Sequence, residues 1–161
     1  MDEIRKHVES IKDEVNLVSE SISSLLVRSN SGEVRPVELR IVVDDSREEL
    51  SLVALTLKLD GETIGRGTSR TGDDFEALKE VRQSIEKEGL LLNCYGSSLN
   101  VHPVPMTRVG VFAYKLTHGK PVSLFDRVHI YETGSDVTPT TVKKQEAFYR
   151  KWLLSLDSKN S

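Results

Sequence analysis

The stretch IRKHVESIKDEVNLVSESISSL, residues 4–25, carries the most regular pattern in the chain. Its apolar residues are Ile4, Val8, Ile11, Val15, Val18, Ile22 and Leu25, at alternating steps of four and three. That spacing is a heptad seam, because side chains three and four apart share one face of a helix. The residues between are mostly charged: Arg5, Lys6, Glu9, Lys12, Asp13 and Glu14. The pattern predicts one helix of about 24 residues, roughly 36 Å long. Two packings fit it. The seam lies on a sheet of its own chain, or it joins another chain in a coiled coil. A strict two-position stripe is narrower than most core-facing helices show, and Leu17 and Leu26 widen it only near the end. Ser19, Ser21, Ser23 and Ser24 weaken the last turns, and Ser29-Asn30-Ser31-Gly32 stops them. The expected division is a helix over 1–28, a linker over 29–36, a folded domain over 37–156 and a polar tail over 157–161.

Downstream, period-two patterns replace the heptad. Val37, Leu39, Ile41 and Val43 alternate with Glu38 and Arg40, as in a half-buried strand. A second strand is expected over 50–59 and a third over 62–67, joined by Asp60-Gly61, a strong hairpin signal because its turn needs positive φ. Asp73 or Asp74 starts a helix with Phe75, Leu78, Val81 and Ile85 on one face, and Gly89 ends it. Residues 90–95 read as a buried central strand, 111–116 as another, and 128–131 as a further one. Thr138-Pro139-Thr140 precedes a last helix with Val142, Phe148 or Tyr149, Trp152, Leu153 and Leu156 inward. The expected class is α+β: a mostly antiparallel sheet of five to six strands packed by two helices, with the long heptad-patterned helix in front.

Composition narrows the function classes. The 161 residues are 37% hydrophobic and 29% charged, with a formal net charge of −3. This is ordinary for a single globular domain and argues against a nucleic-acid partner, which selects a basic footprint. No apolar run approaches the ~18 residues of a membrane span, and no basic-then-apolar leader precedes the first helix, so a cytoplasmic protein with no membrane partner is expected. Cys94 is the single cysteine, which excludes an intramolecular disulfide and a cysteine-based zinc site.

The chain offers few chemical constellations. Cys94 and His102 are the one thiol–imidazole pairing, but a cysteine inside an apolar strand reads as core packing. His7, His102, His118 and His129 show no metal-ligand spacing, so no metal site and no cofactor are expected. Residues 65–72, GRGTSRTG, precede a helix. They match neither phosphate-loop pattern, and two aspartates at the helix start would repel phosphate, so they read as a strand end and a cap. The loop 96–108 combines Asn100, His102, Met106 and Arg108 after Tyr95, and long loops on rigid sheets carry function. Tyr95, Asn100, His102, Met106 and Arg108 are therefore the candidate ligand-binding residues.

Several segments also resemble a family of small uncharacterised bacterial proteins. They are Asp73-Asp74-Phe75-Glu76-Ala77-Leu78, Leu92-Asn93-Cys94-Tyr95-Gly96, Asn100-Val101 with Pro103 and Met106, and Val137-Thr138-Pro139 with Gln145, Phe148 and Trp152-Leu153. The resemblance spans residues 62–156. The family's middle motif has Asn-Val-Tyr-Pro-Ser-Gly-Met followed by arginine; this chain departs at His102, Val104 and Pro105 and keeps Met106 and Arg108. The resemblance implies one shared fold and carries no activity with it.

By exclusion, the expected function is a non-catalytic protein-binding module, of the kind a bacterial immunity protein uses to neutralise a toxin. Its partner is another protein or a second copy. The interface candidates are Ile4, Val8, Ile11, Val15, Val18 and Ile22 on the seam, and the acidic Asp44, Asp45, Glu48 and Glu49, which would speed encounter with a basic surface. The alternatives are a ligand binder or enzyme built on the 96–108 loop, and a structural protein self-assembling through the first segment.

Overall fold

The computed structural model describes residues 17–46, 51–105 and 110–158. Its first element corrects the long helix. From Val18 the chain is a strand, β1 (Val18–Ser29), which runs antiparallel to β2 (Val34–Asp44) over eleven registered pairs, from Val18 opposite Asp44 to Arg28 opposite Val34. The expected helix over 18–25 fails for a physical reason. Val18, Ile22 and Leu25 fit a heptad, but the serines between them are mediocre helix formers with little to bury. Read at period two, Leu25 and Val27 face the core, and backbone pairing with β2 fixes that state. The earlier part of the expected helix, residues 4–16, lies outside the described residues. Ser29-Asn30-Ser31-Gly32 forms the hairpin turn between β1 and β2: Ser29 N donates to Glu33 O (2.8 Å) and Gly32 N to Ser29 O (3.0 Å).

β3 (Leu52–Leu59) and β4 (Glu62–Ser69) continue the antiparallel meander, with Asp60 and Gly61 both at positive φ in the turn. Helix α1 (Asp74–Glu86) follows. Its N-cap Asp73 accepts from Glu76 N at 3.1 Å, and Gly89, at φ +74°, closes the turn after it. β5 (Leu90–Asn93) then pairs with β1. The sheet order is β4-β3-β2-β1-β5, so β5 is an edge strand and not the central one expected. It also pairs only with Leu26 to Ser29 of β1. The strands expected in one sheet fall into two. β6 (Val101–His102), β7 (Phe112–Lys115) and β8 (Arg127–His129) make a separate antiparallel sheet, and the last helix, α2 (Val142–Ser158), packs beside it.

α1 covers the inner face of the large sheet. Leu39, Leu55 and Leu57 meet Phe75, Leu78, Val81 and Ile85 in the main core. Gly65 and Gly67 of β4 explain the glycine-rich stretch: a Cβ on Gly67 would stand 1.9 Å from the Ala77 carbonyl oxygen. These glycines let helix and strand approach, a packing role. A smaller core of Tyr114, Leu116, Tyr149 and Trp152 joins α2 to the second sheet. Among the described residues, no helix is long and apolar enough to cross a membrane.

Candidate interaction surface

With α1 on one side, the large sheet leaves its other side uncovered by any described element. Alternation places Val18, Glu20, Ile22, Ser24 and Leu26 of β1, Val34, Pro36, Glu38 and Arg40 of β2, and Lys58 of β3 on this open face. Ile22 is 60% exposed, Val34 52% and Leu26 42%, large apolar residues that a solvated face rarely gathers on neighbouring strands. Two depressions lie on the β1–β3 strands of this sheet. One depression of about 340 Å³ is lined by Ser24, Pro36, Glu38, Lys58, Asp60 and Gly61 among others. A second of about 260 Å³ lies between Glu20, Ile22, Glu38, Arg40 and Lys58. Glu38 and Lys58 border both. Charges of both signs frame the apolar residues: Arg40 Nε sits 2.6 Å from Glu20 Oε1, and its hydrogen bond holds the Glu20 carboxyl below its ordinary pKa. Arg35 pairs with Asp60, which lines the first depression.

Val18 and Ile22 of the expected interface therefore sit on this face, carried by a strand. Ile4, Val8, Ile11 and Val15 lie outside the described residues, as do Glu48 and Glu49. Asp44 and Asp45 make local bonds at the end of β2: Asp44 Oδ1 accepts from Ser46 N at 2.9 Å, and Asp45 accepts from the Ser51 hydroxyl. The other acidic cluster is structural. Asp73 caps α1, and Glu76 pairs with Lys79 at 2.8 Å. Asp74 is buried, where it accepts from the Tyr131 hydroxyl at 2.7 Å; burial raises its pKa against that hydrogen bond.

The three described candidate ligand residues, Tyr95, Asn100 and His102, have separate hydrogen-bond partners. Tyr95 opens a short 3-10 turn, and its hydroxyl donates to Asp136 Oδ1 at 2.7 Å, beside Lys115 Nζ at 3.0 Å from Oδ2. Asn100 accepts from Leu116 N through its carbonyl (2.7 Å) and from the Ser98 hydroxyl through its side chain (3.3 Å). His102 is buried. Its ring stacks on Tyr149 at 3.7 Å and meets the Phe75 ring edge-on. Nδ1 lies 2.7 Å from the Pro103 carbonyl and Nε2 3.0 Å from Glu146 Oε1, so both ring nitrogens face acceptors. Partial burial of Glu146 opposes its ionisation, but the bond to His102 and the charges of His102 and Lys79 outweigh it and lower its pKa. Met106 and Arg108 lie outside the described residues. Cys94 is buried against Ser97 Oγ (3.4 Å), and burial pushes its thiol pKa up, the opposite of a reactive thiolate. Among the described residues no group of histidine, cysteine, aspartate and glutamate is placed to hold a metal ion.

The sequence reading missed the polar node beneath this region. Arg82 is fully buried, and its guanidinium donates to the carbonyls of Gly96 and Thr140, both at 3.0 Å, and to Gln145 Oε1 at 2.5 Å. Gln145 Nε2 in turn lies within 3.0 Å of the carbonyls of Gly96, Ser98 and Val101. The signal was present: Phe75, Leu78, Arg82 and Ile85 step by three, four and three, so Arg82 stands at a core position of α1. No protein-family model and no curated protein matches this chain.

Proposed function

We propose that this chain is a non-catalytic protein-binding module that receives its partner on the open face of the five-stranded sheet. The observation that carries the reading is the sheet face left uncovered by any described element, with Ile22, Leu26 and Val34 exposed on it and the Glu20–Arg40 pair beside Ile22. Exposed apolar anchors among charged residues are what a protein interface requires, and Ile22 lines the second depression. Asp44 and Asp45 stand at one end of this face, where negative charge would steer a basic partner. Neutralisation of a basic toxin is the narrower form of the same reading.

The test is capture from the native host with the full chain as bait. A partner retained stoichiometrically, then lost with Leu26→Asp and Val34→Asp but kept with Phe125→Asp, supports the reading. Phe125 is 97% exposed in a different turn, so it serves as the surface control. Capture of no protein, or capture indifferent to the two sheet-face variants, would remove it.

A further inference from the structure

Helix α2 carries a basic face in a chain of net charge −3. Lys143, Lys144, Arg150 and Lys151 are all exposed, and none of them stands in an ion pair among the described residues. The one carboxylate between them, Glu146, is bound to His102 and Lys79. Residues 144, 148, 151 and 155 run along one side of the helix, because their steps are four, three and four. Two of that row touch the loop after β7. The Phe148 and His118 ring centroids are 4.9 Å apart, and Ser155 Oγ accepts from Gly119 N at 2.8 Å. Lys144 and Lys151 of the same row therefore border this loop, which adds the exposed Lys120. Trp152 Nε1 donates to the Lys120 carbonyl at 3.0 Å, and Val122 packs into the small core with Trp152, so the loop is laid along the helix. It then rises into an apolar apex. Leu124 is 76% exposed and Phe125 97%, the two most exposed large apolar side chains described. A closed 3-10 turn holds them there: Asp126 N donates to Ser123 O at 3.0 Å, and Ser123 N to Asp126 Oδ2 at 2.8 Å. The acid of the apex is thus spent on the turn itself.

We propose that the Leu124–Phe125 apex, with Lys120, Lys144 and Lys151 beside it, docks on an anionic phospholipid surface. Charge and apolarity together select this occupant. Acyl chains at the headgroup boundary bury an apolar apex, while lysines on long stems reach the anionic headgroups. A nucleic acid would take the lysines and leave the leucine of the apex in water. An apolar protein pocket would take the apex and leave the lysines without counter-charge. The expectation of no membrane partner rested on the lack of a spanning run. Among the described residues no helix is long and apolar enough to cross a bilayer, but lying on its surface needs none. The apex and the lysines belong to elements other than the strands of the proposed protein-binding face, so the two readings stand or fall separately.

Flotation of the full chain with lipid vesicles is the test. Vesicles of phosphatidylcholine with about one-quarter phosphatidylserine are expected to carry the chain at low salt, and vesicles of phosphatidylcholine alone to leave it behind. Binding is expected to fall by about tenfold or more in ~0.5 M salt, where screening is short-ranged. Lys144→Gln and Lys151→Gln are each expected to weaken the partition by about fivefold. Phe125→Asp is expected to weaken it by about tenfold or more, through the lost apolar burial. Insertion is read separately by a polarity-sensitive dye on Phe125→Cys, since the native Cys94 is buried. Its emission is expected to shift to the blue on anionic vesicles, and that of the same dye on Val34→Cys to stay unchanged. No flotation with anionic vesicles at low salt overturns the proposal. So does flotation that survives Phe125→Asp or is indifferent to both lysine changes. Retention on single-stranded RNA or on polyglutamate, with vesicles left bare, also overturns it and assigns the lysines to a nucleic acid or an acidic protein. A chain that ignores vesicles but still captures a protein on its sheet face leaves the proposed function standing. One that binds anionic vesicles and captures nothing does the reverse.

Discussion

Gln145 shows how much one polar side chain can hold. Its amide serves three backbone carbonyls and its oxygen receives Arg82, so α1, the 96–101 segment and α2 meet at one buried point. Burial pulls the Arg82 guanidinium below its ordinary pKa, which makes its carbonyl and amide acceptors all the more necessary. Gln145→Leu keeps the approximate volume but strands those carbonyls and Arg82; a loss of about 2–4 kcal/mol is expected in urea unfolding. Gln145→Glu is expected to destabilise as well, although it offers Arg82 a carboxylate, because it can no longer donate to the three carbonyls. Gly67 is the second such residue. Gly67→Ala drives a methyl into the Ala77 carbonyl, and a loss of about 2–3 kcal/mol is expected by the same measurement. The glycine was legible as a local feature at 65–72. Its packing partner was not, since Ala77 comes close only once α1 lies on β4.

At the scale of elements, the contact between α1, β6 and α2 is electrostatic as well as apolar. Lys79 of α1 and His102 of β6 both face Glu146 of α2, at 3.4 and 3.0 Å. The lowered pKa of Glu146 fixes the sign of its pH effect: its stabilisation is present above the ordinary glutamate value and is lost as pH falls through the lowered one. Asp74 works in the opposite sense. Its raised pKa favours the protonated folded form, so its contribution is full below the ordinary aspartate value and fades as pH rises through the raised one. Unfolding midpoints measured between about pH 3 and pH 7 are expected to fall toward acid less steeply in Glu146→Gln than in the parent chain. An acid limb unchanged by that variant would show that other carboxylates carry it. β1 belongs to this scale too. Leu25 and Val27 reach the core only in the extended state, so Leu25→Ala is expected to cost about 2–4 kcal/mol.

For the whole molecule, two cores and two sheets are joined through the Arg82–Gln145 node. Unfolding followed by Trp152 fluorescence, which reports the smaller core, and by circular dichroism of the large sheet is expected to give coincident transitions. Arg82→Met is expected to separate them, the smaller core melting first. The sequence by itself determined the elements whose signals are local. The Asp60-Gly61 hairpin needs positive φ, the α1 helix has its Asp73 cap and Gly89 stop, and the alternation of Val37, Leu39 and Ile41 marks β2 as half-buried. It also marked Cys94 as core. Only the tertiary structure decided the state of residues 18–25. Val18, Ile22 and Leu25 satisfy a helical period, and Leu25 and Val27 satisfy a strand period, so local spacing leaves both open. The choice came from hydrogen bonds to β2, which lie beyond the turn at 29–33 and have no sequence period of their own. The same holds for β5 at the edge, for the split into two sheets, and for the open face. Which side of a strand stays bare depends on where α1 and α2 pack, and burial is a property of the assembled layers.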